Sequence, residues 1–237
     1  MGIKAKKNLL TRSNLRDLIL VCSFVSTVFC DVTQGEMAFG FFLLALGCFL
    51  HVVTKGILIR NVTLCTGGVY RVVRHPYYLS SYLIDSSFCL LGGNDFLLLL
   101  YPFLFFWSYG PTMRKEEALL AERYGDASMT YRLEVPQVFP HSSSFKQLRT
   151  LFEGFSLERI TWKECGRVSR FCSLGIFLTL VHDVAGNGFN NLHLRSPVLH
   201  DWGEALFALL AIMLYIASIV FMRKANRNGH RAEGSSD

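Results

Sequence analysis

Apolar residues along this chain gather into six runs, Leu18–Cys30, Ala38–Val53, Tyr77–Leu91, Phe96–Tyr109, Phe171–Val184 and Ala205–Met222. Short polar turns part them, with one long polar segment before the fifth. Several runs fall short of the ~20 apolar residues that cross a bilayer upright, but flanking Ser, Thr and Gly can extend them. The pattern predicts an all-α, polytopic helical membrane protein with about six transmembrane helices. Between Pro140 and Arg170, Phe145, Leu148, Leu151, Phe152 and Phe155 recur at roughly helical spacing among Lys146, Arg149 and Glu153. That spacing predicts an interfacial amphipathic helix. The expected organisation is an N-terminal two-span hairpin (1–54), a core (55–140), an interfacial segment (141–170) and a C-terminal two-span hairpin with its tail (171–237).

Composition agrees: 51% hydrophobic and 18% charged, with a mean hydropathy of +0.32, is not the makeup of an ordinary soluble globule. The formal net charge of +6 gains meaning once it is laid on the runs. If the chain starts inside and alternates, 23 of the 24 Lys and Arg share one side, and only Arg195 lies on the other. The outer turns Asp31–Glu36 and Gly92–Asp95 are acidic or neutral. Such sorting is the positive-inside bias, so both termini are expected to be cytoplasmic. Lysines ahead of the first run also fit a signal peptide, but no small-x-small site follows, and the run is expected to stay as a span. Seven Cys without CxxC spacing read as apolar fillers. The Asn61-Val62-Thr63 sequon falls on the inner side, and no nucleic-acid partner is expected.

Candidate chemistry lies in two polar knots on that inner side. The first is Thr63-Leu64-Cys65-Thr66-Gly67-Gly68-Val69-Tyr70-Arg71-Val72-Val73-Arg74-His75-Pro76-Tyr77-Tyr78. Gly67-Gly68 permits a tight turn, and Pro76 suits a first helical turn, where a missing N–H leaves nothing unpaired. Amides at that helix start, beside Arg74 and His75, would attract a carboxylate. The same residues also describe a plain basic and aromatic membrane boundary. The second knot carries Glu116, Leu119, Leu120 and Arg123 on one helix face, then Gly125 as a helix stop. A solvated helix with Glu–Arg pairs would read the same way.

Together the knots resemble the isoprenylcysteine carboxyl methyltransferase and phospholipid methyltransferase superfamily. Its G-x-Y-x-x-x-R-H-P-x-Y stretch, hydrophobic hairpin, E-E-x-x-L, aromatic-Gly pair, Tyr and Val-Pro are matched here by Gly68, Tyr70, Arg74-His75-Pro76, Tyr78, Glu116-Glu117, Leu120, Tyr124-Gly125, Tyr131 and Val135-Pro136. The resemblance covers about residues 55 to 140. It implies an integral membrane methyltransferase that uses S-adenosylmethionine without a Rossmann domain; no βαβ glycine fingerprint is present. By the same resemblance Thr63, Leu64, Cys65 and Tyr70 would line the cofactor, and His75, Pro76, Tyr77 and Tyr78 would hold its methionine end. Glu116 would contact the cofactor from the second knot, and Arg114 would orient the substrate. Ser80 stands where Gly is usual, and Val62 where the prenylcysteine enzymes carry His.

Asp85, some eight residues into the third run, is expected to face a substrate tunnel and select a polar or cationic acceptor. On the outer side His182, Asp183, His193, His200 and Asp201 contain no His pair at i, i+4 and are not expected to bind metal. The activity implied is methyl transfer to a lipophilic or small carboxylate, thiol or amine acceptor at the cytoplasmic interface. An NADPH-dependent enzyme like the sterol reductases and a non-catalytic membrane protein are the alternatives.

Overall fold

The computed structural model of the chain describes residues 12–58, 64–189 and 200–233. Six α-helices account for most of these: α1 Arg12–Phe29, α2 Gln34–Ile57, α3 Pro76–Leu91, α4 Asp95–Glu134, α5 Trp162–Phe189 and α6 His200–Glu233. No strand occurs among the described residues. Each apolar run falls on one helix, and capping residues mark several boundaries. Thr33 accepts from the Glu36 amide while the Glu36 carboxylate accepts from Thr33, a reciprocal box that starts α2. Asn94 accepts from the Leu97 amide to start α4.

Four of the helices, α2, α4, α5 and α6, are long and apolar enough to cross a membrane, against the six expected. α1 has 18 residues and carries Arg12, Arg16 and Asp17. α3 has only 16, about 24 Å at ~1.5 Å per residue against a ~30 Å hydrocarbon core. Most of α3 is buried against its neighbours. Its apolar residues mostly face other helices, a burial that hydropathy alone cannot tell from exposure to lipid.

α2 and α3 meet through small residues. A Cβ at Gly47 would sit 2.6 Å from Ile84 Cγ1, so only glycine admits this approach. Ser80, wholly buried, donates to the Gly47 carbonyl at 2.9 Å. The hydroxyl at a position expected to be Gly is therefore absorbed by the facing helix.

α1 runs parallel to α3, with Gly92 seated against Ser23. Seven residues earlier on each helix stand Asp85 and Arg16, at the same level. Asp85 is wholly buried; its carboxylate accepts from Arg16 Nε at 2.6 Å, from Arg16 Nη2 at 3.4 Å and from the Tyr101 hydroxyl at 2.9 Å. This corrects the expectation that Asp85 meets a cationic acceptor. A carboxylate in an apolar layer has to be neutralised where it sits, and a cation on the adjacent helix already does so. Arg16 likewise serves the helix bundle rather than the membrane boundary.

α4 spans 40 residues, about 60 Å, so roughly half of it projects beyond a ~30 Å core. The projecting half carries the second knot. At Gly125 the backbone turns to φ 50°, ψ −125° and kinks the helix. Nothing crowds that Cα, so it is the left-handed backbone that selects glycine there. The stretch expected to be an interfacial amphipathic helix is helical over Ser142–Thr150, as a 3-10 helix, with turns leading on to α5. Phe145, Leu148 and Phe152 stay exposed on it.

Arg16→Ala, which strips the cation from a buried carboxylate, is expected to destabilise the protein by about 3–5 kcal/mol. Arg16→Met combined with Asp85→Leu is expected to recover most of that loss, as read by reversible unfolding in mixed SDS micelles.

Candidate functional site

The C-terminus of α2, the N-terminus of α3, the projecting half of α4 and the start of α5 share one end of the bundle. Between α2 and α3 the chain folds back through a 3-10 turn, Gly68–Arg71. Gly68 has φ +57°, and a Cβ there would meet Ile57 Cδ1 at 2.6 Å and the Glu153 carbonyl at 2.7 Å. Val69 and Tyr70 bury themselves on Val53 and Ile57. Arg74 and His75 then extend, their amides donating to the carbonyls of Pro136 and Gln137 at 2.8 and 2.9 Å. His75 is the N-cap of α3 and Pro76 opens the helix, as its sequence position predicts.

These contacts explain the order of the motif elements. Pro136, with Gln137 after it, brings backbone acceptors to the Arg74-His75 segment. The Tyr131 hydroxyl donates to the Tyr70 carbonyl at 2.6 Å. The Tyr78 hydroxyl donates to Glu116 Oε1, also at 2.6 Å. Elements far apart in sequence thus close on one another pairwise.

Glu117 lies at the centre. Its side chain is 8% exposed, and Oε1 stands 3.1 Å from both Arg74 Nη1 and His75 Nε2, while Gln137 Nε2 donates to it at 3.1 Å. Arg132 Nη2 approaches Oε2 at 3.5 Å. A carboxylate only accepts, so His75 Nε2 carries the proton, and in the neutral ring Nδ1 keeps its lone pair. Nδ1 stands 3.8 Å from Glu116 Oε2. Two acceptors therefore face one another, an arrangement suited to an N–H donor set between them.

A cavity of about 920 Å³ opens over these groups. The structure brings Leu64, Cys65, Tyr70, His75, Pro76, Tyr77, Tyr78 and Glu116, all singled out from sequence, onto its wall. Thr63, Val62 and the Asn61 sequon lie outside the described residues. Arg114 is exposed and is not on the cavity wall. The wall also includes Lys55, Arg74, Arg123, Tyr124 and Arg167, with Leu58, Leu119 and Leu120 as an apolar flank.

Lys55 and Arg167 were legible only as boundary charges; nothing in their spacing links them to the motif. The fold joins them through Tyr77 and Glu164. Lys55 Nζ sits 4.5 Å above the Tyr77 ring, and Arg167 Nη1 donates to the Tyr77 hydroxyl at 3.4 Å. Buried Glu164 takes His51 Nε2 at 2.7 Å, Arg167 Nη1 at 3.0 Å and Lys55 Nζ at 3.7 Å. At the opposite end His182 is buried within α5; His193 and Arg195 lie outside the described residues. No group of three or more His, Cys, Asp or Glu with metal-binding proximity occurs among the described residues.

Among curated proteins, the chain is similar to a Protein-S-isoprenylcysteine O-methyltransferase of Schizosaccharomyces pombe, 31% identical over 81 residues. That alignment covers 34% of this chain and 34% of the yeast protein, so the chain spans about a third of the length of the relative it matches. The relative is a methyltransferase of the kind that the motif pattern resembles. No family model matches the chain, and neither does any solved structure.

Burial holds the His75 imidazole below its ordinary value of 6.5, and the Glu117 and Glu116 carboxylates offset only part of that effect. The folded chain then resists protonating His75. Its contribution to stability is whole above about pH 6.5 and is lost as pH falls below that value, because the unfolded chain takes up the proton first. Thermal melts should show the wild type losing stability more steeply than His75→Gln between about pH 6.5 and 5.

Proposed function

We propose that this chain is an integral membrane methyltransferase that uses S-adenosylmethionine and acts at the cytoplasmic interface on a lipophilic or small acceptor. The observation that carries this reading is the pair of facing acceptors, His75 Nδ1 and Glu116 Oε2 at 3.8 Å, in a cavity that also holds cations and aromatic rings. Those acceptors suit the ammonium of a methionine moiety. Lys55 and Arg123 supply positive charge for its carboxylate, and Tyr70, Tyr77, Tyr78 and Tyr124 supply ring faces for a sulfonium and a purine. A volume of about 920 Å³ lies within the ~300–1,000 Å³ of small-molecule sites.

When bound, S-adenosylmethionine supplies a methyl group on positively charged sulfur, open to in-line displacement by oxygen, nitrogen or sulfur. The chain's own work is alignment and exclusion of water. Glu117 fixes His75 in one tautomer, and Tyr78 fixes Glu116 by bonding Oε1, so Oε2 keeps its orientation. Leu58, Leu119 and Leu120 offer the flank along which a lipophilic acceptor would lie. Arg114 lies off the cavity wall, so the orienting of an acceptor is not assigned to it.

Orientation follows from charge. The sequence pattern, in which alternating runs leave 23 of the 24 basic residues on one side together with the motif, supports a cytoplasmic face there, with both termini on that side. α1 and α3 connect the same two ends as the longer helices, which supports about six crossings.

Calorimetric titration of the detergent-purified protein is expected to show saturable binding of S-adenosylmethionine and none of NADPH. His75→Ala and Glu116→Ala should each weaken it about tenfold, on the order of 1.4 kcal/mol. Absence of binding, or wild-type affinity in both variants, would overturn the reading. A labelled-methyl screen over lipid extracts then identifies the acceptor.

A further inference from the structure

A second cavity, of about 520 Å³, opens beside the first and shares Lys55, Leu58 and Arg167 with it. Its other walls come from the Leu157–Arg159 turn and the first turn of α5, including Arg159 and Lys163. Four basic residues thus face two carboxylates, Glu158 and Glu164. Glu164 is buried and already engaged by His51, Lys55 and Arg167, and Glu158 is exposed to solvent. The cavity retains a positive surplus.

Arg159 is held in place by the end of α2. Its Nη1 donates to the carbonyls of Gly56, Ile57 and Gly154 at 3.2, 3.3 and 2.7 Å. All three bonds use Nη1, so the guanidinium is anchored at one corner, and Arg159 lines the cavity. Lys163, in the first turn of α5, also lines the cavity and is exposed, and none of the ion pairs at this corner uses it.

The location adds the second half of the argument. The apolar stretch of α5 that is long enough to cross a membrane begins at Trp162. The Trp162 ring stacks on Phe221 with centroids 5.4 Å apart and has Lys224 Nζ 3.7 Å from its own centroid. Leu157 is 73% exposed. An aromatic ring flanked by lysines, beside a bare leucine, marks the depth of lipid headgroups. Basic residues in such a position attract anionic lipids.

We infer that this cavity binds the phosphate of an anionic phospholipid headgroup, held as a resident lipid and not as the methyl acceptor. Arg159 and Lys163 grip the phosphate from two sides, and Lys55 and Arg167 carry its influence to the wall of the larger cavity. The inference rests on the membrane location and not on methyl transfer, so titration with S-adenosylmethionine and the experiment below fail independently.

Native mass spectrometry of the full chain in detergent, loaded with equal phosphatidylglycerol and phosphatidylcholine, reads the site. One phosphatidylglycerol adduct should be retained about tenfold more tightly than phosphatidylcholine. Lys163→Gln should weaken that adduct about fivefold, the equivalent of ~1 kcal/mol for one basic residue near an anionic surface; Lys163→Arg should restore it, and S-adenosylmethionine binding should not change in either variant. Equal retention of the two lipids, or an unchanged adduct in Lys163→Gln, would overturn the proposal. So would displacement of the adduct by millimolar sn-glycerol 3-phosphate, which would point to a soluble phosphate ligand.

Discussion

The candidate site depends on one buried carboxylate. Glu117 reaches Arg74, His75, Gln137 and Arg132, and these belong to three separate stretches of chain: the loop before α3, the projecting half of α4 and the segment after it. A carboxylate taken out of water is tolerated only when its lone pairs are met by donors. Satisfying Glu117 therefore forces the three stretches together. His75 then has its proton at Nε2 and its free lone pair at Nδ1, facing Glu116. The chemistry assigned to His75 and Glu116 follows from a residue that itself does not line the cavity.

The same device recurs twice. Asp85 binds α3 to Arg16 of α1 and Tyr101 of α4, and Glu164 binds α5 to His51 and Lys55 of α2. Each joins helices distant in sequence by a buried acid with a basic partner. Such pairs add little net stability over an apolar contact of equal shape, but a mispaired arrangement leaves a bare charge in a dry layer. In a bundle whose other contacts are mostly interchangeable apolar surface, they select one packing of the helices. Close approaches such as Gly47 on Ile84 supply the shape to match.

Much of this was legible from local signals. Six apolar runs announced six helices, Pro76 opened α3, Gly125 broke α4, and the motif elements converge in space. What escaped the sequence were long-range partnerships. Glu117 stands beside Glu116, and nothing in a single chain says which of two adjacent carboxylates turns inward. Arg16 was legible only as one more basic residue on the inner side, because its partner is 69 positions away. That other helices enclose most of α3 escaped as well, since such burial leaves the same hydropathy that lipid would. The 3-10 stretch at Ser142–Thr150 has helical apolar spacing, and period alone does not separate the two helix types over so few residues.

The cavity itself divides along this line between legible and hidden. Its acceptor groups, His75 and Glu116, come from the motif and lie at the N-cap of α3 and on α4. Part of its cationic wall, Lys55 and Arg167, comes from α2 and α5, outside the motif, and is oriented by Glu164 and the Tyr77 ring. A motif match therefore describes only half of the electrostatics that a zwitterionic ligand would meet. The other half depends on how α2 and α5 dock, and hence on the His51–Glu164 contact that holds them in register at this end. Chains that share the motif can differ there without altering a motif residue, and the arginine and lysine so varied also face the second cavity. Charge at this corner is set by two neighbouring sites at once, which restricts how far either can change alone.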